Sequence, residues 1–307
     1  MMINPKITLK DVAKEAKVSV ATVSYVLNKV GNQTIPQETK ERIYVAVKKL
    51  NYVQNLTARS LSKGVTQLLG VLLVSDKSDL ISKHISYGRY MDDLERLAAE
   101  YGYHMVVSHI DPEDPQLSII QERKLDGVFI IDACEQSFHA VSNQFQFGTP
   151  VVLIDSYIDD PLFRSVNMDW SALFMNIRSS LRETPFVLIH EYYHNNQLQE
   201  ALYKASGLPA SKICAITNIN ELECFIHNHP DHRIIVLNEF LSLHVAKYCD
   251  PHRMLIVCTS ECIEFVPELA SKIVLADSKS KRSFAMMLAL IQQPYNDKIL
   301  DEYISFT

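Results

Sequence analysis

From Gly64 onward, short uninterrupted apolar runs alternate with stretches of helical period, and this limits the fold more than any other feature of the 307-residue chain. The runs cover 68–74, 105–108, 128–131, 151–154, 186–189, 213–216, 234–237 and 255–258. Between them, segments such as 85–101 and 173–182 repeat their apolar residues at helical spacing. An apolar run with no polar alternation has both faces buried. Strands of that kind, separated by helices, predict parallel sheets covered on both sides. The length suits two such α/β lobes after a small N-terminal head. In sheets of this type a ligand sits in the crevice outside the carboxyl ends of the strands.

The head differs in charge. Residues 1–63 hold 11 of the 30 Lys and Arg but only Asp11, Glu15, Glu38 and Glu41 of the 36 acidic residues, a balance of +7. The remainder carries −13, so the net −6 hides a basic head on an acidic body, the layout of a nucleic-acid binder. The local pattern agrees. Thr8 can cap a helix bearing Leu9, Val12, Ala13 and Ala16, with Asp11 three residues after the cap. Ser19 can cap a second helix, 20–28, whose inward residues are Val23, Val26 and Leu27. Pro36 opens a third, with Ile43, Ala46, Val47 and Leu50 on one side. Three short helices around one core predict a helix-turn-helix unit whose second helix enters the major groove.

ITLKDVAKEAKVSVATVSYVLN and LNYVQNLTARSLSKGVTQLLGVLL carry a nearly gapless resemblance, over residues 6–74, to the lactose repressor/galactose repressor family of bacterial transcription regulators. The resemblance implies a helix-turn-helix domain over 1–54, a hinge helix over 55–64, and a two-lobed effector and dimerisation domain over 65–307, similar to periplasmic sugar-binding proteins. It implies that Val20, Ala21 and Tyr25 face base edges, and that Thr8, Ser19, Thr22, Ser24, Asn28 and Asn55 hold phosphates. Leu9, Ala58 and Leu61 complete the implied DNA-facing set, with Leu61 as a minor-groove wedge. Small hydroxyl and amide groups at a helix N-terminus suit phosphate oxygens. Tyr25 stands where many members have arginine, which removes bidentate guanine reading there.

The resemblance carries into the body through DGVFIID, TPVVLIDSY and SVNMDW, and implies an effector pocket near Ser75, Asp132, Asp155, Trp170, His194, Asn238 and Glu261. Toward the C-terminus it weakens. His194 stands where the family has a ligand arginine, and histidine cannot reproduce the guanidinium fork. Trp170 replaces a usual asparagine, either to stack on a planar ligand face or to fill the cleft. The expected protein is a cytoplasmic homodimer that binds double-stranded operator DNA. Its effector is a sugar-like small molecule or, given the altered pocket, a protein co-regulator or nothing. Simple hexoses are expected to bind weakly.

Rival chemistry has less support. His190-Glu191-Tyr192-Tyr193-His194 matches HExxH, but a zinc hydrolase needs that motif inside a helix, and Phe186-Val187-Leu188-Ile189 reads as a strand leading into it. The third ligand would have to be Glu221 or Glu223, well downstream and off any obvious helix. Cys224, His227, His229 and His232 read as a polar loop before a strand rather than a metal site. No P-loop, GxGxxG or GxSxG is present, so no catalytic residue, metal or cofactor is expected. A solute-binding protein would lack the basic head and would carry a secretory signal, and MMINPKITLKDVAKEA has no apolar core for one. No run approaches the ~18 apolar residues of a membrane span. The six cysteines form no CxxC pair and read mostly as small buried apolar residues.

Overall fold

The computed structural model describes residues 7–27, 35–52, 65–112, 123–136, 138, 148–160, 162–182, 184–293 and 298–307. Asn28, Asn55, Ala58, Leu61 and the expected hinge lie outside these residues. The chain divides into two compact units, Met1–Thr66 and Gln67–Thr307.

Among its described residues, the first unit holds three helices, α1 (Leu9–Ala16), α2 (Val20–Leu27) and α3 (Gln37–Lys49). The Thr8 amide donates to Asp11 Oδ2 at 2.7 Å, closing the first turn of α1. Lys17 follows in the left-handed region at φ 54°, which ends the helix. Ser19 Oγ accepts the Thr22 amide at 3.0 Å and so starts α2. Val12, Ala13, Ala16, Val23, Val26, Ile43, Ala46 and Tyr52 form one small core between the helices.

The second unit is built on two sheets. The first has the order β11-β5-β4-β3-β1-β2, with β1 Leu68–Val74, β2 His104–Ile110, β3 Gly127–Ile131, β4 Val151–Ile154, β5 Arg164–Met168 and β11 Glu302–Ile304. The other has the order β10-β9-β8-β6-β7, with β6 Phe186–Glu191, β7 Ile213–Ile216, β8 Arg233–Leu237, β9 Met254–Cys258 and β10 Ser271–Val274. Every pairing within both sheets is parallel. The α-helices among the described residues are α4 (Ile81–Glu100), α5 (Trp170–Leu181), α6 (Asn196–Ser206), α7 (Glu221–His227), α8 (Glu239–Val245) and α9 (Lys279–Gln292). One apolar core runs along the inner faces of both sheets, and each sheet has a second core on its opposite face. Strand order reverses between β1 and β3 in one lobe and between β6 and β8 in the other, which aims both switch points at the cleft. Gly127 begins β3 because Met287 of α9 packs where a Cβ would stand.

Several expectations need correction. The expected helices 85–101 and 173–182 begin earlier, at Ile81 and Trp170, since Asp169 Oδ1 accepts the Ala172 amide and caps α5. Strands β5, β10 and β11 carry too few apolar residues to stand out as runs. Glu221, Glu223, Cys224 and His227 are helical, in α7, rather than in a loop. The cysteines are free, but only Cys258 and Cys262 are buried; Cys134, Cys214 and Cys249 are half-buried and Cys224 is exposed.

Candidate DNA-binding face and interlobe cleft

In the head, the buried side of α2 is Val23 and Val26. A helix with those residues inward must turn Val20, Ala21 and Tyr25 outward. All three are exposed, Val20 at 41% and Tyr25 at 39%. The small core of the head is complete without these three side chains. Thr8 and Ser19 are exposed at the starts of α1 and α2, where amides of the first turn are free of helical partners. Thr22 and Ser24 are half-buried on α2, Leu9 half-buried on α1. Ser19 Oγ and Thr22 Oγ1 lie 2.9 Å apart, so the two hydroxyls form one polar pair at the start of α2.

In the second unit, the expected effector residues end their strands in similar ways. Asp132 after β3, Asp155 after β4, Asn238 after β8 and Glu261 after β9 all have positive φ, at 55°, 48°, 90° and 59°. Short polar side chains tolerate this region because they can bond to nearby backbone groups. Five of the seven expected residues gather at the cleft but differ in what they do there. Asp155 Oδ2 takes Lys279 Nζ at 2.7 Å. Asn238 donates to Glu191 Oε2 at 2.9 Å and caps α8 through the Phe240 amide. Trp170 is buried, stacks on Phe306 at 6.3 Å between centroids, and leaves its indole N–H without a hydrogen-bond partner. Asp132 is fully buried and accepts the backbone amides of His194 and Asn195. His194 Nε2 meets Asp79 Oδ2 at 3.0 Å. The other two stand apart: Ser75 bonds His109 at 3.1 Å, and Glu261 is exposed beside a separate small recess.

Sequence reasoning missed Asp79, Lys83, Tyr87 and Lys279. Lys83, Tyr87 and Lys279 line the cleft together with Asp155, Trp170, Glu191, Tyr193 and Asn238. Lys83 is 4% exposed, and its ammonium binds Asp132 Oδ2 at 2.8 Å, Asp79 Oδ1 at 3.0 Å and the Tyr192 carbonyl at 2.9 Å. Burial opposes this charge, and the two carboxylates overcome it and raise its pKa. Burial likewise opposes ionising Asp79, yet the bond from His194 and the charge of Lys83 lower it to about 2. The cavity left among these side chains is only about 30 Å³.

The HExxH stretch runs along the end of β6 and the loop after it, so its two histidines do not share a helix face. His190 Nδ1 lies 2.7 Å from the Glu191 carbonyl, its ring stacks on Tyr193, and burial lowers its pKa to about 4. Glu191 faces the cleft, bonded to Ser82 and Asn238. Burial lifts it to about 7 against the pull of those bonds and of Lys83. No group of three metal-ligating side chains occurs among the described residues, and no helix among them is long and apolar enough to cross a membrane.

Residues 8–55 match the family described as "Bacterial regulatory proteins, lacI family". The chain is 33% identical over 183 residues to catabolite control protein A of Staphylococcus aureus strain Mu50, covering 58% of this chain and 52% of that protein. It is 34% identical over 168 residues to the HTH-type transcriptional regulator pepR1 of Lactobacillus delbrueckii subsp. lactis, covering 53% and 48%. The chain thus spans about half the length of the curated relatives it matches. Its fold is similar to the lac repressor dimer bound to operator and the anti-inducer ONPF, with a TM-score of 0.72 at 17% identity over 98% of this chain and 97% of that one. It is also similar to the regulator CelR in complex with cellobiose, at a TM-score of 0.58 and 14% identity over 98% of each chain.

Proposed function

We propose that this protein is a sequence-specific DNA-binding transcription regulator, a repressor of carbohydrate-related genes that works in the cytoplasm as a homodimer on a pseudo-palindromic operator. The observation that carries the reading is the outward face of α2, where Val20, Ala21 and Tyr25 stand open on a head of charge +7. One such helix reads only a few base pairs, and two related by a dyad read a palindrome. The family match over 8–55 supports this assignment, as does the likeness in fold to a lac repressor dimer bound to its operator. In this reading Asn28, Asn55, Ala58 and Leu61 extend the DNA contact, with Leu61 wedging into the minor groove. The assigned activity is binding, and no catalytic residue is assigned. Binding selection should return a two-fold-related site of about 14–20 base pairs, with log affinity falling linearly against log salt. Affinity indifferent to both salt and sequence would overturn the reading.

Within α2, two groups of substitutions should separate. Val20 and Tyr25 are read as base-facing, so Val20→Ala or Tyr25→Ala should relax preference at one or two operator positions. Ser19 and Ser24 are read as phosphate-facing, so Ser19→Gly or Ser24→Ala should weaken all sequences alike. Identical effects from both groups in a binding-selection experiment would show the division to be wrong.

A second reading concerns control. Instead of a small-molecule effector, a protein partner or no ligand at all sets the activity. What favours it is the filled cleft, whose polar groups are largely spent on one another around a cavity of about 30 Å³.

A further inference from the structure

We propose that Lys83 is a built-in latch, an ammonium that joins the two lobes at their switch points in the place where a ligand would do so. This extends the second reading of control and is tested without DNA, so its failure leaves the DNA-binding assignment standing.

The argument starts from three bonds. Lys83 lies in the first turn of α4, which belongs to the lobe of the six-stranded sheet. Two of its partners, Asp79 and Asp132, are in that same lobe, after β1 and β3. The third, the Tyr192 carbonyl, belongs to the other lobe, after β6. These are the strand ends flanking both switch points. An ammonium has three donors, and here each has an acceptor, as a buried charge requires.

Lys83 also organises its anions. Asp79 and Asp132 are 4% and 0% exposed, and two buried carboxylates this close to one cation repel each other without it. Held by Lys83, they turn their remaining capacity across the cleft. Asp79 takes His194 Nε2 at 3.0 Å, and Asp132 takes the backbone amides of His194 at 3.0 Å and Asn195 at 3.2 Å. One ammonium therefore supports four bonds between the lobes, one direct and three through its carboxylates. The neighbouring contacts run the same way. Glu191 bonds Ser82 and Ser86 bonds Ser260, while Asn195 donates to the carbonyls of Ala133 and Tyr157. What remains empty is about 30 Å³, against the several hundred usual for a small-molecule pocket.

The chain's single tryptophan, Trp170, lines this cavity and is 4% exposed, so its fluorescence reports cleft opening directly. In the full-length protein, acrylamide should quench Trp170 weakly, and a panel of mono- and disaccharides should leave that quenching unchanged. Lys83→Met keeps the stem and removes the charge. It should raise the quenching constant several-fold while far-UV circular dichroism stays native. If the lone substitution unfolds the protein, Lys83→Met with Asp79→Asn and Asp132→Asn removes the cation and both anions together, and the same rise is expected. Hydrogen exchange on the unsubstituted protein gives an independent reading, with slow exchange expected at the His194 and Asn195 amides without any ligand. Three results would each overturn the latch: native-like quenching in a folded variant that lacks Lys83, a sugar that changes quenching of the unsubstituted protein, or fast exchange at those two amides.

Discussion

Ala21→Asp is expected to abolish tight operator binding while leaving the head as stable as before or slightly more so. Ala21 is the second residue of α2 and is exposed, so an aspartate there meets no steric obstacle. In the first turn of a helix a carboxylate is favoured by the free amides and the helix dipole, by about 0.3–1 kcal/mol. On DNA the same carboxylate would face base edges and phosphates. Like charges placed together at an interface cost several kcal/mol, so the operator affinity of the dimer should fall at least about a hundredfold. Thermal melting of the isolated residues 1–66 and an operator titration of the full chain should therefore move in opposite directions. Near-unchanged operator affinity would mean that α2 does not enter the groove.

Glu191→Gln should stabilise the second unit at pH 8 by about 2–3 kcal/mol. Burial lifts Glu191 from 4.5 to about 7, so the folded state holds this proton more tightly than the unfolded chain does. That contribution is fully present below about pH 4.5 and is lost as pH rises toward 7. His190 works the other way. Burial lowers it from 6.5 to about 4, so its neutral form favours folding above pH 6.5, and that contribution is lost on acidification toward 4. Between about 4.5 and 6.5 the two slopes oppose each other, and the unsubstituted protein should show little pH dependence from this pair. Glutamine is uncharged throughout and can still hydrogen-bond Ser82 and Asn238. In the variant only the His190 slope remains, so stability should climb from pH 4.5 to 6.5. Asp79, lowered from 3.8 to about 2, adds a loss of stability only below about pH 3.8. Denaturant unfolding across pH 4–8 tests the pattern. A variant less stable than the parent at pH 8 would show that Glu191 is not held in an unfavourable ionised state.

The head was legible because its signals are local. Thr8 with Asp11 and Ser19 with Thr22 are pairs three residues apart, which is the reach of a helix cap. Val12, Ala13 and Ala16 on α1 and Val23 and Val26 on α2 recur at the helical period, and on α2 that period settles which side chains face in and leaves Val20, Ala21 and Tyr25 outside. The central strands of the body were legible for a similar reason. A strand covered on both faces must be apolar at every position, and β1, β3, β4 and β9 are buried along almost their whole length. Edge strands β10 and β11 escape that requirement and left no run to read.

The cleft was only partly legible. Its strand-end residues Asp132, Asp155 and Asn238 could be placed, since any parallel sheet brings its carboxyl ends to one side. Their partners could not. Asp79 meets His194 across 115 residues, and Lys279 meets Asp155 across 124. Lys83 sits in the first turn of a long helix, where a lysine ordinarily lies in solvent, and nothing in ISKHISYGRYMDDLERLAAE marks it as buried. What the sequence by itself determined is whatever depends on hydrogen bonds within a few residues or on the period of a face: the caps, the outward side of α2 and the covered strands. Only the tertiary structure decided that the cleft is filled by its own charges. Burying an ammonium requires acceptors from β1, β3 and β6 at one point, and no single segment contains that convergence.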